Sequence, residues 1–89
     1  MYVISVKRIR YCTGEQIPEE QQYWEYASYD NYDCSCFDNI NRAEDFKTIE
    51  NAKAWWEEFK RYLTCVYEKD YDFSTIAIRK LVFKKVCEL

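Results

Sequence analysis

The sequence predicts an α+β fold in which one amphipathic helix packs on an antiparallel sheet of three to five strands. Three observations carry that expectation. The stretch Thr48–Val66 places its apolar residues at helical spacing, whereas Met1–Tyr11 and Gln22–Tyr29 alternate with a period of two. The segment Phe73–Cys87 is rich in β-branched residues, which fit a pleated surface. With 89 residues and an aromatic content of 19 %, residues 1–89 are expected to form a single compact domain built on large side chains.

The helix is the best-defined element. At 100° per residue Ala52, Trp55, Trp56, Phe59, Leu63 and Val66 share one side, flanked by Ile49 and Tyr62. Glu50, Lys53, Glu57, Glu58, Lys60 and Arg61 collect on the other. Thr48 is placed to cap the first turn, and Glu50 suits the helix dipole. Asn51 stands where a full capping box would have Glu or Gln. Burying two Trp and one Phe contributes roughly 2–3 kcal/mol each, far more than about 0.3 kcal/mol from the Glu57 and Arg61 pair. Packing therefore decides the helix. Its expected partners are Ile4, Val6, Ile76 and Ile78.

In chain order, Met1–Tyr11 reads as a strand with Tyr2, Ile4 and Val6 on one side. The alternation slips at Arg8 and Arg10, which follow on the apolar side, so a bulge or an overrun past the helix is expected. Thr13–Gln22 holds Gly14 and Pro18 and reads as a loop. Gln22–Tyr29 reads as a second strand, with Trp24, Tyr26 and Ser28 alternating with Tyr23, Glu25, Ala27 and Tyr29. Asp30–Asn41 is dense in Asp and Asn, which favour turns, and reads as an exposed connection. Arg42–Phe46 is a candidate third strand. Tyr67–Asp72 reads as a turn. Phe73–Cys87 reads as a long strand bulged near Arg79–Lys80, or as two short strands, with a helix starting at Thr75 as the competing reading.

Composition excludes whole classes of chemistry. Gly14 is the only glycine and there is no histidine. Phosphate-cradling glycine loops and His-based nucleophile pairs are therefore out of reach. No enzymatic activity and no cofactor are expected. Cys12, Cys34, Cys36, Cys65 and Cys87 include no C-x-x-C. They read as free thiols of a reducing cytosol rather than as a metal site or disulfides, so no metal is expected. No apolar run approaches the roughly 20 residues of a membrane span, and the expected location is the cytoplasm.

The charge of −3 hides a segregation. Residues 11–46 carry nine acids against Arg42 alone, a local charge of −8, while residues 1–10 and 73–89 carry +3 each. The acidic stretch is interleaved with tyrosines, the composition of a surface that engages a basic partner. The expected partner-binding residues are Tyr26, Tyr29, Asp30, Tyr32, Asp33 and Asp38. The expected partner is another protein with a basic surface, such as a nucleic-acid-binding effector whose phosphate site the acids would mimic. The alternative is a nucleic-acid-binding stripe of Lys7, Arg10, Arg79, Lys80 and Lys84 on paired terminal strands. Against that alternative stands the net negative charge.

Ala43, Phe46, Thr48, Ala52 and Trp55, in the pattern A-x-x-F-x-T-x-x-x-A-x-x-W after a strand and an acidic aromatic loop, resemble the strand-to-helix unit of very small phage-encoded inhibitors of the anti-CRISPR type. The resemblance covers about half of the chain and implies an inhibitor or host-interaction protein of the host cytosol. It transfers no functional residue by position.

Overall fold

A computed structural model describes residues 1–29, 35–81 and Cys87 of the chain. Strands β1 (Tyr2–Arg8), β2 (Tyr23–Tyr29), β3 (Ser35–Asp38) and β4 (Tyr71–Lys80) form one sheet in the order β3-β2-β1-β4. Every pairing is antiparallel. Helix α1 (Ile49–Val66) follows β3 and precedes β4. It carries the chain across one face, from one sheet edge to the other. The α+β architecture is the one the sequence predicts.

The helix begins where its cap is placed, with Thr48 Oγ1 accepting from the Asn51 amide at 3.0 Å. Ala52, Trp55 and Leu63 are buried. Trp56 and Phe59 pack at the margin of the core. Val66, placed on the buried stripe by its spacing, is 51 % exposed. The core contact at this end is made instead by the fully buried Leu63 and by Tyr67, whose ring meets those of Phe37 and Tyr71. The core joins these residues to Ile4, Val6, Ala27, Phe37, Phe46 and Tyr71, with Ile76 and Ile78 beside them. Trp55 meets Phe46 edge-on at 5.9 Å between ring centroids, and Trp56 stacks on Phe73 at 6.3 Å. Such ring pairs add about 0.5–1.5 kcal/mol beyond area burial.

Three expectations are corrected. The connection between β2 and the helix is not wholly exposed loop. Ser35–Asp38 pairs with β2, and Phe37 is buried, its ring centroid 4.9 Å from that of Tyr71. The third strand thus lies before Arg42–Phe46, where Ile40–Arg42 forms a short 3-10 helix. Part of that segment still joins the sheet. Phe46 exchanges two backbone bonds with Tyr2, at 2.9 and 3.2 Å, and the Glu44 amide donates to the Ala27 carbonyl at 2.8 Å. These residues fill the fork where β1 and β2 diverge.

The second correction is the bulge. β1 keeps regular register with β2 from Ser5 to Arg8. The irregularity lies in β4, between the pairings of Ala77 with Ser5 and Asp72 with Lys7. There the Lys7 amide donates to Thr75 Oγ1 at 2.9 Å, and that hydroxyl donates to the Asp72 carbonyl at 2.6 Å. A side-chain oxygen supplies the ladder bond that the extra residues displace. The third is Ile17, assigned to a polar loop but fully buried. Its amide donates to the Ile9 carbonyl at 2.8 Å, behind a turn in which Gly14 takes φ of +91°. A positive φ there is a conformation that glycine adopts without steric cost.

Candidate functional site

The sheet has two faces, and register decides which charges each one holds. Lys7 pairs with Trp24, Ser5 with both Tyr26 and Ala77, Val3 with Arg79, Tyr26 with Asp38, and Ser28 with Cys36. All of these side chains stand on the face turned away from α1. Ile4, Val6, Arg8, Glu25, Ala27 and Phe37 take the opposite parity, toward the helix.

Near one end of the outer face, at the second residue of β2, lies Trp24, 39 % exposed. The Arg79 guanidinium carbon is 4.7 Å from its ring centroid, and Lys7 Nζ is 5.7 Å away. Arg79 reaches the ring from β4 by crossing β1, where its Nε donates to the buried Ser5 Oγ at 2.7 Å. Among the described residues neither Lys7 nor Arg79 has a carboxylate within salt-bridge distance. Tyr26, two residues along β2, continues the aromatic surface and is half-buried. Asp38 lies beside it on β3. One Asp38 oxygen accepts from the Asn39 amide at 2.7 Å, and the other is 3.8 Å from Arg42 Nη1. Ser28 donates to the Arg42 carbonyl at 2.6 Å, so Ile40–Arg42 closes this end of the face.

On the helix-facing side a different polar group is built. Arg8 Nη1 donates to Glu25 Oε1 at 3.0 Å and to Tyr71 Oη at 2.9 Å, while the Tyr71 hydroxyl donates to the same carboxylate oxygen at 2.8 Å. Arg8 Nε donates to the Arg10 carbonyl at 2.7 Å, and the guanidinium lies 5.2 Å from the Tyr71 ring. Burial, the largest single influence, opposes the charge on Arg8, but the bond to Glu25 together with the attraction of Tyr71 and Glu25 outweighs it, so its pKa is raised. Burial, and then the bond to Glu25, raises the Tyr71 pKa as well. The group explains the slip in alternation at Arg8: a cation occupies a core-facing position because an acid and a phenol satisfy it. Arg8 Nη2 also lies 3.7 Å from Cys12 Sγ, so the guanidinium is engaged by its neighbours and offers a ligand little.

The expected partner surface is brought together only in part. Tyr26 and Asp38 are cross-strand neighbours on the outer face, and Tyr29 ends β2. Asp30, Tyr32 and Asp33 lie outside the described residues, as do Lys84 and Cys34. The basic stripe is split. Its premise is met, because the first and last strands do pair. Alternation then leaves Lys7 and Arg79 outside, while Lys80 is paired with Tyr2 at the helix-facing parity and Arg10 binds the Gly14 carbonyl at 3.1 Å.

Sequence reasoning missed Trp24 as the residue around which the two outer cations gather. Its alternation with Glu25 was a signal for the face, but the register that brings Arg79 over it was not. A groove of about 370 Å³ opens between α1 and β4, lined by Ile4, Trp56, Ile76 and Ile78 with Lys53 and Glu57 among its walls. It contains no convergent titratable set. Among the described residues no three metal-ligating side chains gather, and no helix is long and apolar enough to cross a membrane. No protein family, curated protein or solved structure matches the chain.

Proposed function

We propose that the protein is a non-enzymatic inhibitor or adaptor that binds another protein through its acidic, tyrosine-rich segment. One observation carries the reading. The segment of charge −8 runs through β2 and β3, where Tyr26 and Asp38, both half-buried, stand opposite each other on the face turned away from the helix. Tyr29 ends β2, and the chain that follows it supplies Asp30, Tyr32 and Asp33.

The partner suited to such a segment has a basic surface, as a nucleic-acid-binding effector does. The carboxylates would take the places of phosphates, in the manner of a phage-encoded inhibitor acting in the host cytosol. Exposed ion pairs are worth only about 0–1 kcal/mol each, so the tyrosines would supply most of the affinity and the acids the approach. Association with the partner is therefore expected to slow as salt rises, while dissociation responds mainly to Tyr26 and Tyr29.

The test compares the parent with the double variant Asp30→Lys, Asp33→Lys, after circular dichroism shows that both are folded. Proteins retained by the immobilised parent are identified by mass spectrometry, and the interaction is repeated with the purified partner. Loss of binding in the variant supports the reading. Equal binding would make the acids merely solubilising and end it.

A further inference from the structure

We infer that the outer face of the sheet binds a short stretch of single-stranded nucleic acid, with one base stacked on Trp24 and phosphates paired with Lys7 and Arg79. This goes beyond the protein-binding reading and centres on the Trp24 end of the same face, sharing Tyr26 with it.

Three observations carry it. First, the two cations lack the usual structural explanation. Lysine and arginine on a sheet commonly protect its edges, but β1, which carries Lys7, is a central strand. Arg79 does lie on the edge strand β4, yet its side chain is drawn inward, tied to Ser5 at 2.7 Å and laid over Trp24. Second, both cations share one ring, at 4.7 and 5.7 Å, and among the described residues neither lies within salt-bridge distance of a carboxylate; one oxygen of Asp72, the cross-strand partner of Lys7, is engaged instead by the Ser74 amide and hydroxyl. A single exposed cation–π contact is worth about 0.5–1 kcal/mol, whereas two like charges at one ring repel. A bound anion relieves that repulsion. Third, Trp24 is 39 % exposed and Tyr26 follows two residues later on the same strand, about 7 Å away at the usual rise. Aromatic groups at that interval on an antiparallel sheet, flanked by cations, suit unpaired bases on a phosphate chain.

The acidic half of the molecule repels the same ligand. The site is therefore short, and its binding is strongest at low salt.

The experiment measures anisotropy of a fluorescein-labelled ten-residue oligothymidylate titrated with the protein from 25 to 200 mM NaCl. No protein partner is present, so the outcome does not depend on the preceding proposal. Two phosphate contacts predict a slope of log affinity against log salt of about −1.4. Trp24→Ala is expected to weaken binding roughly tenfold or more, and Trp24→Phe to restore most of it, because a ring still stacks. Lys7→Gln is expected to reduce the slope by about half without touching the Arg79–Ser5 bond, which guards against loss of fold. A duplex of the same length is expected to bind far more weakly. Absence of binding at 25 mM NaCl, indifference to Trp24→Ala, or equal affinity for the duplex would each overturn the inference. So would polyglutamate displacing the oligonucleotide at equal concentration, since the patch would then belong to an acidic protein.

Discussion

Replacing Glu25 by leucine would leave the Arg8 guanidinium on the core-facing side without the one carboxylate that pairs with it among the described residues. The geometry sets the magnitude. Arg8 and Glu25 are 3.0 Å apart, and each side chain is 13 % exposed. Removing one partner of a buried pair costs about 3–5 kcal/mol, because the survivor keeps its desolvation penalty. Residual exposure and the Arg10 carbonyl soften that, so Glu25→Leu is placed near 3 kcal/mol. Removing all three polar partners together should behave differently. Arg8→Met with Glu25→Leu and Tyr71→Phe leaves no buried charge and deprives only the half-buried Arg10 carbonyl of its donor, so it is expected to stay within about 1 kcal/mol of the parent. Urea unfolding followed by circular dichroism reads both. With a slope near 1 kcal/mol per molar urea for a small protein, the single variant's midpoint falls by about 3 M. A shift below about 0.5 M would show that the pair is solvated in practice. A triple variant as unstable as the single one would show that the network itself stabilises the fold.

Two further outcomes are expected. Leu63→Ala, at a fully buried position, should cost about 2–5 kcal/mol, and Val66→Ala at the exposed end of the same stripe less than about 0.5 kcal/mol; equal losses in thermal unfolding would place the wrong residues in the core. The raised pKa of Tyr71 means that above pH ~10 the unfolded chain loses a phenolic proton that the folded chain keeps. Stability should then fall by up to about 1.4 kcal/mol per pH unit, and the parent's advantage over Tyr71→Phe should shrink between pH 9 and 11. Parallel curves for the two proteins would refute it.

The elements legible from sequence are those whose apolar pattern and local chemistry agree. Thr48 both precedes a helical stripe and can cap it, so the helix boundary follows. Tyr2, Ile4 and Val6 alternate without interruption, and so do the two sides of β2. The failures have an equally physical origin. β3 was hidden because Phe37 is one buried ring among Asp, Asn and Cys, too short a signal to oppose turn-forming neighbours. Ile17 was hidden for the same reason. The β4 bulge was displaced because parity shows that a register changes without showing where. Thr75 decides the place, through hydroxyl bonds that no periodicity encodes. The candidate site was half legible: its residue types could be read, and their grouping could not.

Lys7 and Arg8 make the reason concrete. They are adjacent, equally charged, and indistinguishable in any count of composition. The pleat sends one to each face. Arg8 meets Glu25 and Tyr71 and becomes part of the packed interior, where its charge is neutralised and unavailable. Lys7 meets Trp24 on the other face, half-buried and without a salt bridge among the described residues. The same parity separates Arg79 from Lys80 one strand away. A basic segment in a strand therefore contributes only alternate members to any one surface. The remainder either find partners inside or project beyond the core. For a domain of this size, the sign of a surface follows from strand register before it follows from net charge.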